Sequence, residues 1–171
     1  MVSNITDFKK PTQTTRDSLK KVTFGIGADL SNKAQGYLDQ EKYNNKDYNF
    51  LNESFTLYYN SVILTYEGST IVFPGQSENY DVRTASPRNS ANGYHQMSIV
   101  LNKDSYEFLM ILLTYTSAET IGDVIRSAIH FYVMYLEAEA RGGEHRPYIH
   151  GLGNSSYLTE ILEVLQELNF T

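Results

Sequence analysis

Apolar and polar positions alternate with period two in two short stretches of the chain and with period 3.6 in five longer ones. In the first short stretch, 20–27, Val22, Phe24 and Ile26 alternate with Lys21, Thr23 and Gly25. That pattern predicts a strand with one buried face. In the second, 95–101, Met97, Ile99 and Leu101 face inward and Gln96, Ser98 and Val100 outward. The first predicted helix covers 29–43, with Leu30, Ala34, Tyr37 and Leu38 on one side. A second, 48–67, gathers Phe50, Leu51, Ser54, Phe55, Tyr58 and Tyr59, and Gly68 stops it. The third, 104–116, presents Leu109, Leu112 and Leu113. The fourth, 121–140, presents Val124, Ile125, Ala128, Ile129, Tyr132 and Val133, and ends at Gly142-Gly143. The fifth, 155–168, carries the stripe Leu158, Ile161, Leu162, Leu165 and Leu168.

The order strand–helix–helix occurs twice. Phe50, Leu51, Ser54, Phe55 and Tyr58 match Val124, Ile125, Ala128, Ile129 and Tyr132 at an offset of about 74 residues. The strands match as Val22/Met97, Phe24/Ile99 and Ile26/Leu101. This divides the chain into an arm (1–19), a first unit (20–68), a linker (69–93), a second unit (94–143) and a C-terminal loop and helix (144–171). The arm is rich in Thr, Asn, Asp and Lys and has no sustained period, so it is expected to be flexible. The linker is marked by Pro74-Gly75 and Pro87, and its segment Thr70-Ile71-Val72-Phe73 suits a short strand.

Composition narrows the setting. The chain has 171 residues, 41% of them hydrophobic, which suffices for a core. It has no cysteine, which excludes disulfides, thiol catalysis and cysteine-ligated metals. The N-terminus has no apolar run, and the longest one anywhere is Phe108-Leu109-Met110-Ile111-Leu112-Leu113. A membrane span needs about 20 such residues, so no membrane partner and a cytoplasmic location are expected. The net charge of −6 opposes a role as a generic nucleic-acid coat. Its distribution is uneven. Lys9, Lys10, Arg16, Lys20 and Lys21 face only Asp7 and Asp17 near the start, whereas six Glu and two Arg occupy 137–171.

Catalytic chemistry finds little support. Glu144, His145 and His150 cluster in sequence, but Pro147 places them in a loop without the helical spacing of a metal site. Gly25-Ile26-Gly27 lacks the Lys-Ser/Thr ending of a phosphate loop. Neither a catalytic residue, nor a metal site, nor a cofactor is expected, and the chain is not expected to be an enzyme. The 14 tyrosines can stack on bases, but many lie on the stripes assigned to the core.

Residues 95–140 resemble the ribbon-helix-helix family. The resemblance is carried by the alternating strand, a helix of about four turns, a polar turn, and Thr120-Ile121-Gly122-Asp123-Val124-Ile125-Arg126-Ser127-Ala128-Ile129. Thr120, Asp123, Ile125, Arg126 and Ala128 satisfy the family's pattern, and Gly122 replaces a usual hydroxyl. In the first unit Asn52 and Ser54 stand where Arg and Ala are expected.

The resemblance implies a mainly α fold with a two-stranded antiparallel ribbon, here a tandem single-chain pseudo-dimer plus a C-terminal helix. It implies a DNA-binding regulator that places the ribbon in the major groove of double-stranded DNA. Base readers would be Lys21, Thr23, Gln96 and Ser98, and backbone contacts Lys9, Lys10, Lys20, Lys46 and Thr120. A second copy of the chain, or another protein, would dock on the C-terminal helix. The competing expectation is a protein-interaction module that keeps the fold without DNA contacts.

Overall fold

The computed structural model describes residues 19–39, 47–75, 80–86, 93–151 and 154–169, without side-chain detail for 47–49, 154 and 164–169. In chain order the elements are β1 (Lys20–Gly27), α1 (Ala28–Leu38), α2 (Asp47–Tyr66), β2 (Thr70–Val72), β3 (Tyr94–Leu101), α3 (Lys103–Tyr115), α4 (Ile121–Arg141), a 3-10 turn (Gly143–His145), β4 (Tyr148–Gly151), β5 (Asn154–Tyr157) and α5 (Leu158–Asn169). Residues 1–18 of the predicted arm, Lys9 and Lys10 among them, and Lys46 lie outside the described residues.

Strands β1 and β3 pair antiparallel, with Thr23 opposite Ser98, Lys21 opposite Val100 and Gly25 opposite Gln96. Successive side chains in a strand point to opposite faces. Phe24, Ile26, Ile99 and Leu101 are therefore buried together on the inner face, with Val22 and Met97 half-buried beside them. Burying each such side chain contributes about 1.5–3 kcal/mol, and this fixes the ribbon's face.

Helix α4 is the hub and touches β1, α1, α2 and α3. Its residues 121–129 are buried on every side. Helix α2 lies against it, with the rings of Phe50 and Tyr132 meeting edge to face at 5.3 Å. Glu53, also on α2, is buried and accepts a hydrogen bond from the Tyr132 hydroxyl. Buried Ser54 and Asn60 of α2 each donate to the backbone carbonyl four residues back, Phe50 and Thr56 respectively, so these donors enter the core paired, while Asn60 Oδ1 is buried without a hydrogen bond among the described residues.

The expectation of a mainly α fold with a single ribbon is corrected by a second antiparallel sheet, in the order β2–β4–β5. Among the described residues the chain is a mixed fold of five helices and two sheets. Residues 148–151 and 155–157 were expected as loop and helix start, but they pair with each other, and 148–150 also pair with the linker strand. His150 Nδ1 lies 3.0 Å from Ser155 Oγ across that pair. Gly151 closes the turn at φ +137°, and a Cβ there would stand 3.0 Å from the Ser69 backbone. Helix α5 begins at Leu158, three residues later than predicted. Its Leu158 and Leu162 are buried in the chain's own core, so the first half of the stripe assigned to a partner is already covered. Leu165 and Leu168 lie beyond the described side chains.

Part of the linker is a strap laid on the helices. Val82 O accepts from the Tyr58 hydroxyl at 3.0 Å, and Ser117 N–H donates to Arg83 O at 2.8 Å. Ala85 N–H and Ser86 N–H donate to the hydroxyls of Ser117 and Ser127. Ser86 Oγ sits 2.7 Å from His130 Nδ1. Burial, and then the charge of Lys33, push His130 below its ordinary value, with Glu137 opposing.

Candidate nucleic-acid interface

The outer face of the β1–β3 ribbon is the surface to which the predicted readers map. Lys21, Thr23, Gln96 and Ser98 are all exposed on it, while Gly25 and Val100 are half-buried. Thr23 Oγ1 and Ser98 Oγ lie 2.8 Å apart, so the two hydroxyls at the centre bond to each other across the strands. Lys21 and Gln96 stand at opposite ends of this face.

Lys20, expected as a backbone contact, is not part of the outer face. The alternation puts it in phase with Val22 and Phe24, at the end of the inner face, although its side chain is exposed. Tyr94 was missed. The strand starts one residue before the predicted boundary, which brings Tyr94 into phase with Gln96 and Ser98, 58% exposed at the ribbon's end. The periodicity already contained this signal, because Tyr94 is two residues before Gln96.

Beside β1 a cleft of about 720 Å³ is bounded by Lys21, Gly25, Tyr94 and Gln96 on one side and by Tyr106 and the start of α4 on the other. Thr120 lines it, so the structure does bring this predicted backbone contact to the same opening as the ribbon readers. The α4 start is built by a capping box. Thr120 Oγ1 accepts from Asp123 N–H at 3.1 Å, and Asp123 Oδ2 accepts from Thr120 N–H and Glu119 N–H, both at 3.1 Å. Gly122 lets this turn sit against the ribbon: a Cβ there would stand 2.6 Å from Phe24 Cβ.

Arg126 locks the arrangement from below. It is 3% exposed. Its Nε and Nη2 donate to Ser86 O at 3.0 and 2.9 Å, and Nη1 donates to Gly25 O at 3.1 Å. Nη2 also donates to Asp123 Oδ1 at 2.8 Å. One guanidinium thus joins the strap, β1 and the α4 cap. Burial by itself would raise the Asp123 carboxyl. The hydrogen bond and charge of Arg126, with the two backbone donors, outweigh it and hold the carboxyl down at about 2. This pairing consumes both charges, so neither Arg126 nor Asp123 offers a net charge to a ligand in the cleft.

No family model, no curated protein and no solved structure matches this chain. Among the described residues, no three His, Asp or Glu side chains come together as a metal site. No described helix is long and apolar enough to cross a membrane.

On the far side of the ribbon, beside β3, a smaller groove of about 290 Å³ opens between Met97, Ala34, Leu38, Phe50 and Leu51. The two flanks of the ribbon therefore differ: polar and wide along β1, apolar and narrow along β3.

Proposed function

We propose that this chain binds double-stranded DNA as a regulator, with the outer face of the β1–β3 ribbon set in the major groove. The observation that carries the reading is the face itself. It is solvent-exposed, about eight residues long on each strand, and bears a cation, an amide and two hydroxyls on a rigid base. A two-stranded ribbon has the width of the major groove, and those groups match the donors and acceptors on base edges there. The resemblance of residues 95–140 to ribbon-helix-helix proteins supports the same reading. Tyr94 and Thr120, which line the β1 cleft, would contact sugar and phosphate in this reading.

The test is binding of the full chain to a mixed-sequence duplex, followed by fluorescence anisotropy over a range of salt concentrations. Affinity should fall linearly on a log–log plot as neutralised phosphates release counterions. Absence of binding at low salt overturns the reading.

A second reading, a protein-interaction module, draws on two observations. The central hydroxyls already satisfy each other, and Lys21 is the single cation among the described outward residues of β1 and β3. Recovery of a stoichiometric protein and no nucleic acid from the native host would favour it.

A further inference from the structure

We infer that the ribbon reads a DNA site without two-fold symmetry, and that Lys21 and Gln96 are the residues that tell its two ends apart. The inference rests on the DNA-binding reading above and extends it to the form of the target.

An antiparallel pair has a local two-fold axis at the midpoint of any facing residue pair. Taken through Thr23 and Ser98, that axis carries Lys21 onto Gln96 and Gly25 onto Val100. The centre is nearly symmetric, since a threonine hydroxyl meets a serine hydroxyl. The ends are not. At one end Lys21 faces Val100; at the other Gln96 faces Gly25, with Tyr94 next outward facing Gly27.

The chemistry at the two ends differs accordingly. A lysine ammonium only donates, and suits the paired acceptors N7 and O6 of guanine. The methyl groups of Val100 beside it suit a thymine methyl. Glutamine carries a donor and an acceptor and matches N7 and N6 of adenine. Gly25 has no side chain, so Gln96 reads its end alone.

The flanks repeat the difference. Beside β1 lie Thr120 and Gly122 in a polar cleft; beside β3 lie Leu38 and Leu51 in an apolar groove. A dimer of identical chains would present each reader twice, once on each strand. Here each reader occurs once, so a duplex is held in one orientation. Four residues of strand separate the two ends, about 13 Å at 3.3 Å per residue. A ribbon lying along the groove therefore places its two informative base pairs about four steps apart at 3.4 Å each.

The experiment is selection from a randomised duplex pool with the full chain, followed by sequencing of bound DNA. The expected motif is non-palindromic, with G·C preferred at one end and A·T at the other. Lys21→Gln gives both ends the same reader. It should convert the motif to A·T at both ends and reduce the preference for guanine by about five- to hundred-fold. The exchange Lys21→Gln with Gln96→Lys should move the guanine preference to the other end. Both positions are exposed, so the fold tolerates these changes. A palindromic motif from the unaltered chain overturns the inference, as does an unchanged guanine preference in Lys21→Gln. Salt-dependent binding with no sequence preference also overturns it while leaving the DNA-binding reading in place. A pool from which nothing is retained overturns both.

Discussion

Gly122→Ala and Gly36→Ala make the same chemical change at two helical glycines, and the structure gives them opposite signs. Replacing a helical glycine by alanine is worth about 0.5–1 kcal/mol, because the unfolded chain loses less freedom on folding. At Gly36 in α1 nothing lies within 4 Å of an added Cβ, so that gain is realised in full. At Gly122 the added carbon would sit 2.6 Å from Phe24 Cβ. That atom is fixed to the β1 backbone and cannot rotate away. Relief requires the ribbon and α4 to part by about 1 Å, to reach the ordinary contact distance of about 3.5 Å. Such overpacking costs about 1–3 kcal/mol. Gly122 lies in the first turn, where the helical gain is at most about 1 kcal/mol, so the net loss is about 1–2 kcal/mol. Urea unfolding reads it: the midpoint should fall for Gly122→Ala and rise for Gly36→Ala, with the slope unchanged. In melting temperature each kcal/mol is about 2–4 °C for a chain of this size. A midpoint for Gly122→Ala above that of the unaltered chain would refute the close approach of α4 to β1.

Four further outcomes follow from the same geometry. Arg126→Met should cost about 3–5 kcal/mol in chemical unfolding, since it strands the Asp123 carboxylate in a buried site; a loss under about 1 kcal/mol would contradict the burial. Stability should decline in two stages on acidification: first below the ordinary histidine value of 6.5, as half-buried His130 is forced to charge, then between 3.8 and about 2, as Asp123 protonates. Both groups have depressed values in the folded chain, so both contributions are full at higher pH, and Asp123→Asn should remove the second stage from a pH series of unfolding midpoints. Tyr132→Phe should cost about 1–3 kcal/mol by taking a hydroxyl donor from buried Glu53, measured by thermal unfolding. On the ribbon, Ile99→Ala should cost about 2–5 kcal/mol and Thr23→Ala about 0.5 kcal/mol, and equal effects would show the inner and outer faces to be misassigned.

The long elements were readable because each carries its own period. β1 and most of β3 alternate, and α2 and α4 each repeat an apolar stripe over about three turns. The second sheet was not readable. β4 and β5 are four residues each and contain His150, Gly151, Asn154 and two serines, and β2, which pairs with β4, lies 76 to 80 residues earlier. Nothing local to Tyr148-Ile149-His150 announces a strand whose stability comes from distant pairing. At the candidate site, alternation located the exposed outward residues Lys21, Thr23, Gln96 and Ser98, and a boundary error of one residue hid Tyr94. The role of Arg126 was hidden for a different reason. Its carbonyl partners are 40 and 101 residues away, at Ser86 and Gly25, and backbone acceptors leave no mark on residue type. Lys20, expected as a backbone contact from its charge, is exposed but in phase with the inner face of its strand.

Because both strands of the ribbon belong to one chain, its assembly is unimolecular. The Thr23–Ser98 contact closes a span of 75 residues. The entropy of closing a loop grows only as the logarithm of its length, about 0.6 kcal/mol per doubling, and is paid once during folding. A ribbon made by two separate chains dissolves on dilution, and its readers vanish with the square of protomer concentration. Here the two ribbon strands stay together at any dilution. In the proposed DNA-binding role, occupancy of a target would rise with the first power of copy number rather than across a dimerisation threshold for the ribbon.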